Sequence, residues 1–329
     1  MRSPSTRGPA ARLAHLAYRA LSLPVAGGLR VNAEALAQCL AGLAQLADPA
    51  SASIFLDNLG RLRPQLPEAE RRRLARRMQR SRARTMLEML AAPARGHRWA
   101  RRQVEILGLP ALREALRAGR GAVVIWNHVG VPDVGARGLA AHGIPTTGHA
   151  DRPLGPLLWR GLVRSREALG LHYWPRSSGT APMLAALRRG ELAGVVWDGH
   201  APDAAGGAGR GLEAAVALSR RSGAPLFRGA CLPEGPRFRL VLEGPRPAPR
   251  GPAEARGLVE DLARAEMRLV VGNLEQWSLV RALPPEAVEW AAAAAGARVA
   301  ARPAAAAARS ARAPQPEPRR WAEPGTETV

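Results

Sequence analysis

Between Gly119 and Leu269 the chain alternates short, unbroken apolar runs with segments of helical period. That alternation restricts the possible fold more than any other feature. Ala122–Trp126 reads as a buried strand between Gly119–Gly121 and Asn127. Helices are expected at Pro132–Ala141, with Gly143 as a stop, at Gly155–Leu169, and at Ala181–Arg189, ended by Gly190. Ala193–Trp197 is a second buried strand, and Gly211–Ser222 is a helix stopped by Gly223. Strands at Pro225–Cys231 and Phe238–Leu242 follow, and a helix at Ala253–Leu269 closes the unit. Strands separated by helices of about 10–15 residues predict an α/β fold, a mixed β-sheet flanked by helices.

The flanks read differently. Residues 1–12 look like a frayed lead, and 13–47 look like Ala/Leu-rich helix broken near Pro24 and Gly27–Gly28. Together, 1–50 form a helical lead. From Pro67 the helical spacing sharpens, with Glu68 and Glu70 placed where a helix dipole favours acids and Leu74, Met78, Met86, Leu87 and Leu90 recurring at broadly helical spacing. The window 61–102 carries 14 arginines and a net charge of +11, and reads as a basic N-terminal helical hairpin. The main domain is expected over 51–285. Residues 286–329, rich in Ala, Pro and Arg, read as a disordered tail.

All 48 basic residues are arginine, against 27 acids, giving a net charge of +21. Such a surface favours anionic partners. The Arg-rich hairpin can lie on anionic membrane headgroups, dock an acidic carrier protein, or serve as a solvated face. Nucleic acid is the weaker candidate: zinc-finger spacing and RNA-recognition signatures are missing, and 2 Tyr and 3 Phe leave little for base stacking. The longest uncharged run, Ala35–Ala47, has 13 residues, short of the roughly 20 apolar residues of a spanning helix. Cys39 and Cys231 lie in apolar stretches and are expected to be buried free thiols, as suits a reducing compartment. A soluble or peripheral, cytoplasmic protein is expected.

His128 follows the strand Ala122–Trp126, and Asp133 stands five positions later across a Gly-Val-Pro turn. Open α/β sheets gather their sites just beyond the carboxyl ends of strands. A histidine oriented by a carboxylate can take a proton from an alcohol, which is the general-base half of acyl transfer. On an ideal helix, positions i and i+5 point about 140° apart, so the turn must swing the two together. Spacing by itself equally allows a structural histidine.

The surrounding sequence is more specific. The segment Gly119–Asp133 resembles the first block of the lipid A lauroyl/myristoyl acyltransferase family, within the wider lipid acyltransferase group marked by His-x4-Asp/Glu. Asn58-Leu59 to Leu66-Pro67-Glu68, with the Arg-rich helix, is similar to that family's N-terminal hairpin. Asp151-Arg152-Pro153-Leu154, Trp174-Pro175-Arg176, Val195–His200, Gly211–Pro225 and Glu275-Gln276-Trp277 resemble later blocks in the same order. The resemblance covers roughly 54–281 and implies a glycerolipid-acyltransferase-like fold. It implies His128 as general base on the acceptor hydroxyl, Asp133 as its orienting carboxylate, and Arg152, Arg176 and Asp198 as substrate-binding residues. It also implies an acyl carrier protein or acyl-CoA donor and a membrane glycolipid or phospholipid acceptor. The family usually starts with a membrane-spanning helix; with a basic hairpin and no spanning run, this protein is expected to be peripheral on the inner face of the plasma membrane. His200 stands where the family usually has a second acid, and Ala201–Arg210 is short and Gly-rich. These departures leave room for a homologue that binds lipid or carrier protein without turnover.

The remaining features point to no cofactor. His142, His149 and His200 show no ligand spacing with a carboxylate, so no metal is expected. Gly206–Gly209 lacks Walker spacing and reads as a flexible loop. Trp126, Trp159, Trp174 and Trp197 are readable either as core or as the lining of an acyl groove.

Overall fold

The computed structural model describes residues 9–47, 49–149, 156–197, 210–278 and 282–296. Three helices come first: α1 (Pro9–Ala47), α2 (Pro49–Leu62) and α3 (Glu68–Ala91). They are followed by α4 (His97–Gln103), β1 (Val104–Leu107), α5 (Leu109–Arg117), β2 (Ala122–Gly130), α6 (Pro132–Ala141) and β3 (Thr146–His149). Next come α7 (Pro156–Glu167), β4 (Leu171–Trp174), α8 (Ala181–Arg188), β5 (Leu192–Val196) and α9 (Arg210–Ser222). The antiparallel pair β6 (Leu226–Glu234) and β7 (Arg237–Arg246), then α10 (Pro252–Gly272) and α11 (Pro285–Gly296), complete the described chain.

The strands form one mixed sheet in the order β1-β7-β6-β2-β5-β3-β4. β2, β5, β3 and β4 run parallel side by side, so their carboxyl ends share one edge. β2 is central and buried on both faces. Val123, Ile125 and Val129 join one apolar cluster with α8, α9 and α10, while Ala122, Val124 and Trp126 join another with α5 and α6. Successive residues alternate between faces, which makes a three-layer α/β/α arrangement from a run that shows no polar alternation of its own.

The structure corrects several expectations. The break in α1 falls at Asn32 (φ −155°, ψ 88°), while Pro24 and Gly27–Gly28 stay within helix. Asn32 supplies its own reason: its side-chain oxygen accepts the N–H of Ala35 at 2.9 Å, an N-cap that starts a second helical half. Cys39 is exposed and only Cys231 is buried. The buried stripe of α1 runs through Ala26, Leu29, Ala37 and Ala41, and two positions from Ala37 a side chain points about 200° away. The packed chain also runs past 285: Ala287 and Ala291 of α11 are buried, and Trp290 tilts against Trp197 with ring centroids 5.7 Å apart. Residues 297–329, the rest of the expected tail, lie outside the described residues, as do residues 1–8 and the Gly206–Gly209 loop.

Candidate active site

The site begins with an irregularity in β2. Between Trp126 and Gly130 the pairing with β6 slips: Trp126 sits opposite Gly229, and Gly130 opposite Cys231. Four steps on β2 therefore match two on β6, and Asn127, His128 and Val129 bulge out of the ladder. Bulges of this kind re-aim side chains at sheet ends. Each bulged residue is tied elsewhere. Asn127 is buried; its amide donates to Glu266 Oε2 at 2.7 Å, and its oxygen accepts the N–H of Val129 at 3.0 Å. The carbonyl of His128 accepts both the N–H (2.9 Å) and the hydroxyl (3.0 Å) of Ser278. Val129 bridges antiparallel to Trp277. Glu266 belongs to α10, is 1% exposed, and is ion-paired with Arg228 at 2.5 Å. His128 is thus half-buried on a backbone fixed from two directions.

Gly130 ends the strand with φ +71°, and a Cβ there would lie 2.1 Å from the carbonyl oxygen of Cys231. Only glycine permits that turn. The chain then enters α6 with Pro132 in its first turn and Asp133 beside it, where the helix dipole favours a carboxylate. Asp133 is buried, and its carboxylate lies 2.8 Å from Arg166 of α7 and 3.4 Å from Arg137 one turn along α6. Neither contact has the angle of a good hydrogen bond, so the pairing is chiefly coulombic. Arg166 also lies over the ring of Tyr173, 4.5 Å from its centroid. Desolvation pushes the Tyr173 hydroxyl up to about 12, and Arg166 opposes that shift.

Arg137 links this carboxylate to a second charge cluster. Its guanidinium donates to the backbone oxygen of Glu88 at 3.4 Å and stacks over Trp99. The Glu88 carboxylate, 1% exposed, is shared by Arg84 at 3.0 Å and by the buried Arg95. Desolvation lowers the basicity of Arg95, and Glu88 is the main opposing influence. Sequence reasoning missed Arg137, Arg166, Asn127 and Glu266 around the candidate site, and the Glu88–Arg95 cluster that adjoins it. Among 48 arginines only tertiary contacts separate a buried guanidinium from a solvated one.

The structure places His128 and Asp133 on either side of one turn, at the carboxyl end of β2. Arg176 begins a 3₁₀ turn just after β4, on the same sheet edge. Arg152 follows β3 in sequence and Asp198 follows β5; both lie outside the described residues, as does His200. Trp126 and Trp197 are buried core residues, and Trp174 is partly buried at the end of β4. Among the described residues, no cluster of three or more His, Cys, Asp or Glu side chains is placed to hold a metal ion. No described helix is long and apolar enough to cross a membrane.

Comparison with known proteins gives matches of two kinds. The family model described as bacterial lipid A biosynthesis acyltransferase matches residues 11–205, more than half of the chain. The phosphatidylinositol mannoside acyltransferase of Mycolicibacterium smegmatis is 33% identical over 105 residues, which are 32% of this chain and 34% of that protein. The match therefore spans about a third of each protein.

Proposed function

This chain belongs to the bacterial lipid A biosynthesis acyltransferase family, and on that basis we propose that it moves a fatty acyl group from a thioester donor to a hydroxyl of a membrane lipid. The observation that carries the reading is His128 on the bulged end of β2, one turn from the buried carboxylate of Asp133 and inside the matched region.

His128 acts as general base. As it takes the proton of the acceptor hydroxyl, the oxygen attacks the thioester carbonyl and a tetrahedral oxyanion forms. The C–S bond then breaks, and the departing thiolate takes the proton from the imidazolium. Asp133, fixed by Arg137 and Arg166, orients the imidazole and stabilises its charged form. Arg152 and Arg176 bind acceptor phosphate or the oxyanion, and Asp198 binds substrate beside them. They follow β3, β4 and β5 in sequence, and this supports the assignment, because those strands run parallel to β2 and end on the same edge of the sheet.

The donor is acyl carrier protein or acyl-CoA. The mannoside acyltransferase similarity favours a glycosylated phospholipid as acceptor. Exposed Arg72, Arg73, Arg76 and Arg77 on α3, with Leu16, Leu23 and Leu43 exposed on α1, support peripheral docking on the anionic inner face of the plasma membrane.

The test is transfer of a labelled acyl chain, from each donor, into a total lipid extract, with products read by mass spectrometry. Wild type should label a discrete lipid. His128→Ala should lose about 10²–10⁴-fold in rate while keeping its fold. A folded wild type that binds liposomes but labels nothing with either donor would show a binding homologue without turnover. A fully active His128→Ala would remove the general-base assignment.

A further inference from the structure

A cavity of about 790 Å³ opens between the α1 kink, α3, α4 and the β6–β7 turn. His128 and Asp133 are not among its lining residues. Its charged walls are Arg30 and Glu34 from α1, Arg84 and Glu88 from α3, and Arg95 ahead of α4; Trp99 and Phe238 supply the aromatic walls.

Three observations give this cavity the character of an anion site. First, the positive charge is under-compensated. Arg84 and Arg95 share the single carboxylate of Glu88, and Glu34 points its own charge toward Arg80 at 3.9 Å. Second, Arg95 is 5% exposed, yet its Nε–H has no hydrogen-bond partner. A buried donor left unmade is costly, and a bound anion would relieve it. Third, Asn32 starts the second half of α1 at this cavity, so the positive end of a helix dipole adds to the arginines.

The walls also say what kind of anion fits. Arg95 sits over the Trp99 ring at 4.6 Å and Arg84 over the Phe238 ring at 5.8 Å, and the two rings are 5.9 Å apart. Leu29, Pro233 and Pro236 extend the apolar surface. Guanidinium groups laid on aromatic faces recognise an anion attached to an apolar or planar group, and the volume suits a ligand of small-molecule size. We propose that this cavity binds a phosphate ester bearing an apolar or aromatic group, at a site separate from the catalytic edge and independent of acyl transfer. A phospholipid headgroup and a nucleotide phosphate share that chemistry.

Calorimetric titration of the full chain at fixed ionic strength tests it with three probes: inorganic phosphate, coenzyme A and monomeric dihexanoyl phosphatidic acid. At least one ester should bind saturably and about tenfold more tightly than inorganic phosphate, and the identity of that ester gives the source. Arg84→Gln should weaken it by about tenfold, the worth of one charge-assisted hydrogen bond. Arg30→Glu, at an exposed position that cannot unfold the core, should weaken it at least as much. His128→Ala should leave it unchanged. Binding of neither ester would overturn the proposal, as would binding that survives both arginine variants. Loss in His128→Ala would also overturn it, by placing the ester in the catalytic cleft.

Discussion

The carboxylate of Asp133 lies 2.8 Å from the guanidinium of Arg166, across the boundary between α6 and α7, with both side chains nearly buried. A buried carboxylate would be costly alone; Arg166 and Arg137 make its charge tolerable. Removing one partner of such a pair strands the other. Arg166→Met should therefore lower stability by about 3 kcal/mol, whereas Arg166→Lys should cost less than half of that. Urea unfolding midpoints give both values. A methionine variant as stable as wild type would show that Arg137 alone suffices.

Gly130 offers a sharper steric test. Gly130→Ala brings a methyl group against the carbonyl of Cys231 at a backbone angle that alanine avoids. The expected loss is about 2 kcal/mol or more, with acyl transfer falling further than stability, because the bulge that carries His128 shifts. Thermal unfolding and transfer rates measured on the same preparation separate the two effects.

The two thiols should behave differently. Burial pushes the Cys231 thiol well above the ordinary cysteine range, while Cys39 faces solvent on α1. Ellman's reagent should count one thiol in the native protein at neutral pH and two after denaturation. Rapid native reaction of both would mean that β6 opens readily.

His172 predicts an acid-sensitive fold. Burial lowers its pKa below 6.5, with Glu167 and Glu191 opposing the shift. The unfolded chain then binds the proton more readily than the folded one, so stability is full above about 6.5 and declines as pH falls toward the folded value. The drop in urea midpoint from neutral to mildly acid solution should shrink in His172→Gln. An unchanged drop would assign the acid limb to other groups.

Much of the sheet was legible in advance. Ala122–Trp126 and Ala193–Trp197 are unbroken apolar runs, and each is a central strand covered on both faces. α6 begins and ends where Pro132 and Gly143 predict. β3 and β4 escaped notice because Thr146-Thr147-Gly148-His149 and Leu171–Trp174 carry no apolar run; their place comes from parallel pairing on the far side of β5. Spacing and resemblance drew attention to His128 and Asp133, and the structure puts them on either side of one turn. The residues that hold this turn could not be read: Glu266 bonds Asn127, Arg166 pairs with Asp133 and Ser278 bonds the His128 carbonyl, all from distant segments, and no local pattern distinguishes those residues from solvated ones.

The grip of Ser278 on the His128 carbonyl has a consequence for the order of events in the cell. A ribosome makes the histidine about 150 residues before the serine that anchors it, at roughly 5–20 residues per second. Through that interval β1 also lacks β7, with which it pairs, so the nascent chain carries a half-built sheet with open edges. The bulged end of β2 can be anchored only near the end of translation. Chains released before residue 278 are expected to leave the His128 carbonyl unanchored, which limited proteolysis of a truncated chain would reveal.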